Sequence, residues 1–373
     1  MVQLPPRAAR DLAVRPVRVV FCWAEVSGYM AACWRALGAR PGIDLQVVHL
    51  ESLTGNGTPF AIDRLMTGIP STCFRRTDAD IDGYLRRTVS AHRPDVVVLC
   101  GWIYWPYTHL PAAPELSSAR FILGMDSPWT GSLRQRFAGL RLRDLVSRLN
   151  LVVTAGERST EYARRIGVPQ SRIRPGYYGF DYDGFARVAQ PSPRPRRFLF
   201  VGRYVEAKDL DTLVRGYRLY RARVTDPWTL TCRGAGPDDT MLRDQPGVTD
   251  AGFMQPGELP AAFAEHGVFV LPSRFEPWGV VIAEAAAAGL PVICSSACGA
   301  AADIVRPYYN GVVIPPRDPE ALAHAMCWMH DHEHELSALG QRGQPLARPF
   351  GADAWAERWH HYMIEALDRG HSA

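Results

Sequence analysis

No apolar run in the chain approaches the ~18 residues that a membrane-spanning helix requires. A protein built on spanning helices is thereby excluded. So is a disulfide scaffold or a zinc module: the eight cysteines are scattered and none forms a C-x-x-C pair. Cys22, Cys100, Cys232 and Cys294 lie in apolar stretches, so buried, reduced thiols in a cytosol are the expectation. Charge of one sign is barely in excess. A net charge of +4 is too small for a nucleic-acid binder, though compatible with docking on an anionic surface. No repeat of fixed short period is present. Arg7, Arg10 and Arg15 precede an apolar run that ends at Glu25; it is too short for a signal peptide and reads as a first strand. His330, His332 and His334 alternate along a helical stretch and point to different faces, so no metal site is expected from them.

What is present points to an α/β protein. A length of 373 residues is long for one core and suggests two domains, and 32 glycines with 30 prolines suit many short loops. The N-terminal half begins with a strand at 17–23, a loop ending in Gly28, a helix at 29–37 and a strand at 44–50. This order opens a doubly wound parallel sheet. Gly28, at the head of the first helix, would let a phosphate or sugar approach; a plain turn glycine is the alternative. A strand at 95–100 runs into G-W-I-Y-W-P-Y at 101–107, whose aromatics suit either a stacking pocket or packing. The strand at 120–124 leads to Asp126. Polar groups just past the C-terminal ends of parallel strands are where such sheets place chemistry, although a turn cap would use the same residue. Residues 133–149 carry five arginines and one acid, with Leu133, Phe137 and Leu140 at helical spacing. That pattern fits a basic amphipathic helix that binds an anionic membrane or acceptor, or one with a solvated face. The stretch P-S-P-R-P-R-R at 191–197 is the best boundary, giving domains 1–190 and 191–373.

In the second half, a strand at 197–202 enters a loop holding Arg203 and Lys208, before a helix that starts near Asp209. Two cations there would meet a diphosphate from one side, or simply be solvated. Residues 269–294 then read strand, loop, helix, strand, with the helix over 278–288. Two glutamates mark this unit, Glu276 in the loop and Glu284 inside the helix, spaced E-x7-E. Glu276 precedes a helix start, where unpaired N–H groups make an anion site. Gly279 allows close approach of backbone to ligand. Glu284 lies among alanines and needs a hydrogen-bonding partner, for which a vicinal diol such as a ribose is suitable. A helix cap and an ion pair with a neighbouring cation are the plainer reading of the same two residues.

The run F-E-P-W-G-V-V-I-A-E-A-A-A-A-G-L-P-V-I resembles the E-x7-E signature of retaining, family-4-type glycosyltransferases with the GT-B fold. Gly202, Arg203 and Lys208 match that family's G-R-x-x-x-x-K-G, with Asp209 in place of the last glycine. Gly234-Ala235-Gly236-Pro237 resembles its G-x-G-P turn, with Arg233 as an intrusion. The family's P-N-G-V-D appears as Tyr177-Tyr178-Gly179-Phe180-Asp181, without the asparagine. The resemblance implies two Rossmann-like domains with a cleft between them, and a last helix, about 353–367, crossing back to the N-terminal domain. It implies hexosyl transfer from a nucleoside-diphosphate sugar to a glycan, lipid or small-molecule acceptor, with retention and without metal or other cofactor. Glu276 would hold donor-sugar hydroxyls, Glu284 the ribose, and Arg203, Lys208 and backbone at Trp278, Gly279 and Val280 the diphosphate. Met254 would sit by the base, Gly28 would face the diphosphate, and Asp126 would be the N-domain residue nearest the sugar. A sugar-nucleotide epimerase of the same fold, or a non-catalytic partner of another transferase, are the alternatives. A cytoplasmic protein with peripheral contact to the inner face of a membrane through 133–149 completes the expectation.

Overall fold

The computed structural model describes residues 15–51, 59–75, 80–188 and 191–369; Arg7 and Arg10 lie outside them. The chain sorts into two units. Among the described residues, unit 1 takes those up to 51, then 62–75, 80–178 and 352–369; unit 2 takes 59–61, 179–188 and 191–351.

Unit 1 is built on a seven-stranded sheet: β1 (Val17–Trp23), β2 (Ile43–Leu50), β3 (Ser71–Phe74), β4 (Val96–Leu99), β5 (Arg120–Met125), β6 (Leu151–Thr154) and β7 (Ile173–Pro175). Their order is β3-β2-β1-β4-β5-β6-β7, and every pairing is parallel. Unit 2 carries six: β8 (Arg197–Val201), β9 (Thr229–Arg233), β10 (Val248–Asp250), β11 (Val268–Leu271), β12 (Val292–Ser295) and β13 (Gly311–Ile314), ordered β10-β9-β8-β11-β12-β13, also all parallel. Parallel strands need crossovers and are covered on both faces. Hence β4 (VVVL) and β11 (VFVL) are apolar at every position and wholly buried. In each sheet the order reverses beside the first strand, β1 or β8, which puts the ligand-binding crevice of such folds at its C-terminal end. The loops at Gly28 and Arg203 both begin there.

The helix Ala352–Asp368 belongs to unit 1, as the resemblance implied. Trp355 and Trp359 are fully buried, with ring centroids 6.0 and 5.5 Å from Phe21. Their indole N–H groups donate to the carbonyls of Tyr177 (2.8 Å) and Gly176 (3.2 Å). Arg174 and Glu365 add an ion pair.

Three expectations need correction. The division falls between Tyr178 and Gly179, not at 191–197. The helix Tyr182–Ala186 packs on the helix Val280–Ala287, and Phe180 bridges to Gly351. The proline-rich stretch is itself anchored: the Arg194 guanidinium is buried, donates to the Gly289 carbonyl, and is pulled down to about 10 by loss of water. Second, 133–149 is not one helix but three short ones, Leu133–Arg136, Ala138–Arg141 and Arg143–Arg148, with Phe137 and Leu142 at the joints. Third, the helix after Glu276 spans Val280–Ala287, because Gly279 adopts φ +96° as its N-cap.

Candidate functional site

In unit 2 the turn 206–209 and the loop 274–276 are clamped together. The N–H groups of Arg274 and Phe275 both donate to the Ala207 carbonyl, at 2.9 and 3.2 Å. The Arg274 guanidinium reaches Asp209 at 2.8 Å. Asp209 stands where the resembled pattern has glycine, and its φ of +60° explains that preference. An aspartate is tolerated because its carboxylate caps the helix Leu210–Arg223, accepting from the Thr212 N–H (3.2 Å) and hydroxyl (2.8 Å). The clamp brings the Lys208 ammonium onto the Glu276 carboxylate as an ion pair, with side chains only 14% and 12% exposed. The two residues, assigned separate partners from sequence, thus meet each other. Arg203 is exposed and pairs with no carboxylate among the described residues.

Next to Glu276 lies the start of the helix Val280–Ala287. The Val280 and Val281 N–H groups find no acceptor among the described residues, while Ile282 N–H returns to Gly279. A Cβ at Gly279 would lie 3.0 Å from the Glu276 side chain. The turn is pinned from behind. The Trp278 indole donates to Asp303 at 2.7 Å and packs on Phe350, and Gly299 N–H donates to the Glu276 carbonyl. Trp278 is 1% exposed, so its side chain is a strut, and only its backbone is left for a ligand. Glu284 is buried further along the helix, and no group among the described residues donates a hydrogen bond to its carboxylate. Burial, and then the charge of Asp181, push it from an ordinary 4.5 up to about 8.

That shift has a measurable sign. From about pH 4.5 to about pH 8 the folded protein holds a proton that the unfolded chain has lost, so stability falls as pH rises through this window and stays lower above it. The Glu284→Gln variant lacks this titration. Its denaturation midpoint should gain on wild type as pH is raised across the window; a constant difference between the two would refute the assignment.

Elsewhere in unit 2, Gly234 lets two loops touch backbone to backbone, since a Cβ there would lie 1.9 Å from the Gly202 carbonyl. Arg233, the intrusion beside this turn, is occupied structurally by the Ala251 carbonyl at 2.6 Å. Met254 is half-buried in the loop after β10, next to Phe253, whose ring meets Phe60 edge-on at 5.5 Å. Gln255 holds Pro59 and Ala61 through its amide, so unit 2 carries this segment of the early chain. His330 is also structural, with Nδ1 2.8 Å from the Tyr220 hydroxyl.

In unit 1, Gly28 starts the helix Gly28–Gly38, capped by Ser27, whose Oγ accepts from Met30 N–H. Asp126 follows β5 and accepts from the Tyr178 hydroxyl at 2.7 Å. Burial, with the Asp126 charge next, holds the Tyr178 phenol well above its ordinary value, so it stays a donor. Tyr178 also meets Tyr29 edge-on at 5.6 Å. The tyrosine that replaces the expected asparagine thus ties Asp126 to the Gly28 turn, a contact that sequence reading missed. Of the aromatics at 101–107, Tyr107 is buried with its hydroxyl on the Trp23 carbonyl and Trp102 packs on Tyr162, while Trp105 remains exposed.

Two parallel α/β sheets of this order define the GT-B fold, and solved structures agree. A sucrose-phosphate synthase from Thermosynechococcus elongatus superposes with a TM-score of 0.73 at 18% identity, covering 94% of this chain and 100% of that one. Anabaena HepE in complex with UDP gives 0.74 at 16% identity, covering 92% and 98%. Residues 195–332, which hold the Lys208–Glu276 pair and Glu284, match the family described as Glycosyl transferases group 1. Among curated proteins, the GDP-mannose-dependent alpha-mannosyltransferase of Mycobacterium tuberculosis is 27% identical over 331 residues, 84% of this chain and 72% of that protein. Glycogen synthase from the same species is 28% identical over 256 residues, 63% of this chain and 59% of its own length. Among the described residues, no helix is long and apolar enough to cross a membrane.

Proposed function

We propose that the chain transfers a hexosyl group from a nucleoside-diphosphate sugar to an acceptor, with retention at the anomeric carbon and no metal. The observation that carries this reading is the arrangement at the helix Val280–Ala287. Open N–H groups and the Lys208–Glu276 pair stand at its mouth, and a largely buried carboxyl to which no described residue donates stands within it. When the bond between C1 and the leaving phosphate oxygen breaks, negative charge grows on the diphosphate. Lys208, Arg203 and the helix N-terminus would meet that charge. Positive charge grows on the sugar, where Glu276 would oppose it. The acceptor oxygen bonds to C1 on the same face, and its proton passes to the departing phosphate. Glu284 would accept from the ribose diol, Met254 would lie by the base, and Gly28 and Asp126 would serve from unit 1.

The relatives supply the probes: one is named for GDP-mannose and one was solved with UDP. Purified protein given each donor should release nucleoside diphosphate slowly alone and faster with an acceptor, and NMR of the product should find the donor's anomeric configuration kept. An altered sugar would indicate an epimerase, and silence with every donor a non-catalytic partner. Because a diol is bound equally in ground and transition states, Glu284→Gln should raise donor KM by about tenfold and spare kcat when measured above about pH 8, where the carboxylate is ionised.

A further inference from the structure

Among the described residues, three of the four most exposed large hydrophobic side chains fall within positions 133–140: Leu133 at 71%, Phe137 at 65% and Leu140 at 76%. An isolated exposed leucine needs no explanation, but a cluster does. The same stretch is cationic. Arg134, Arg141 and Arg143 pair with no carboxylate among the described residues, and the local acid, Asp144, is taken by Arg148 at 3.1 Å. Behind the apolar cluster lies a groove of about 580 Å³, lined by Arg136, Arg143, Arg165 and Arg172 together with Leu140 and Val146. Arg165 is already oriented by Glu161 (2.7 Å) and by the Trp129 ring, and Arg172 by the Leu149 carbonyl (3.3 Å). Leu140 belongs to both the exposed cluster and the groove, so the two features are one surface.

We propose that this face of unit 1 docks on a bilayer surface that carries anionic headgroups. Leu133, Phe137 and Leu140 enter the interfacial layer, and the groove seats a headgroup phosphate among its arginines. Charge complementarity excludes a second copy of the chain, since pairing this face with itself would set arginine against arginine. The apolar cluster argues against an acidic peptide or a nucleic acid, which would leave three large hydrophobic side chains in water. The break into three short helices suits the role, because it presents Phe137 and Leu140 outward while Ala138, Leu145 and Val146 face the core. The inference does not depend on the donor chemistry of unit 2.

The test is co-sedimentation of the full chain with vesicles of phosphatidylcholine alone or mixed with phosphatidylglycerol. Binding to the anionic vesicles, weakened by salt, is expected. Arg136→Glu with Arg143→Glu should weaken it by about tenfold or more, as each basic residue near an anionic surface counts for several-fold. Phe137→Ser with Leu140→Ser should do the same. All four side chains are exposed, so thermal midpoints should not move. A Leu140→Trp variant should show a blue-shifted emission with anionic vesicles and none with inorganic phosphate. The proposal is overturned if wild type ignores anionic vesicles or if the apolar pair binds as wild type. Retention on heparin that only the arginine variant loses, with no vesicle binding, would instead assign the face to an acidic macromolecule.

Discussion

Lys208→Ala should lower kcat by about 10²–10³ at saturating donor and acceptor, read as release of nucleoside diphosphate. The size follows from timing: the charge that Lys208 would meet on the diphosphate grows as the bond breaks, so its loss falls on the transition state more than on donor binding. Stability should fall too, because Glu276 loses its partner. The pair with Glu276 is largely buried, so the change in kcat is to be read on protein shown to be folded, and Lys208→Met, which keeps the bulk of the side chain, serves as the second variant. Arg203→Ala should act in the same direction with no stability change at all, because the side chain is exposed and unpaired among the described residues. Since Lys208 and Glu276 touch, Lys208→Ala combined with Glu276→Gln should lose less than the two single losses together. Wild-type turnover in Lys208→Ala would leave the pair as a structural clamp and remove the diphosphate assignment.

Trp359→Ala should cost unit 1 about 3–5 kcal/mol, the range for deleting a fully buried large aromatic. It removes a ring 5.5 Å from Phe21 and 5.1 Å from Trp355, and the N–H that satisfies the Gly176 carbonyl. Against a typical total of about 5–15 kcal/mol, that loss should bring unit 1 close to unfolding at ordinary temperature. Two units need not melt together, so the measurement is a urea titration followed by a probe specific to each. The unit 1 transition should move to lower urea while that of unit 2 stays. An unmoved first transition would mean that the last helix is dispensable to the unit 1 core.

The two sheets were legible because their central strands are short, uninterrupted apolar runs alternating with helical stretches. The edges were not. β3 (STCF) and β7 (IRP) are too short and too polar to announce themselves, since an edge strand has a neighbour on one side only and is less enclosed. The boundary was misplaced for a related reason: P-S-P-R-P-R-R has the composition of a linker, but Arg194 turns inward and bonds Gly289, 95 residues away. At the site, residue types and spacing marked Arg203, Lys208, Glu276 and Glu284. They carried no sign that Lys208 and Glu276 join, 68 residues apart, or that Asp303 holds Trp278. Asp209 was visible only as a departure from a glycine. Its left-handed backbone and its cap explain both the pattern and the exception.

Unit 1 is interrupted: its last segment begins only at residue 352, after the residues of unit 2. During synthesis this imposes an order of completion. The strands of unit 1 leave the ribosome first, yet the aromatic plug that covers Phe21 is translated after residue 351, when every strand of unit 2 is already out. Nascent unit 1 must therefore wait with an unsealed apolar face while its neighbour finishes folding. A released chain that ends before residue 352 would hold every strand and helix of the second unit and an open first one, which is the form a chaperone would meet.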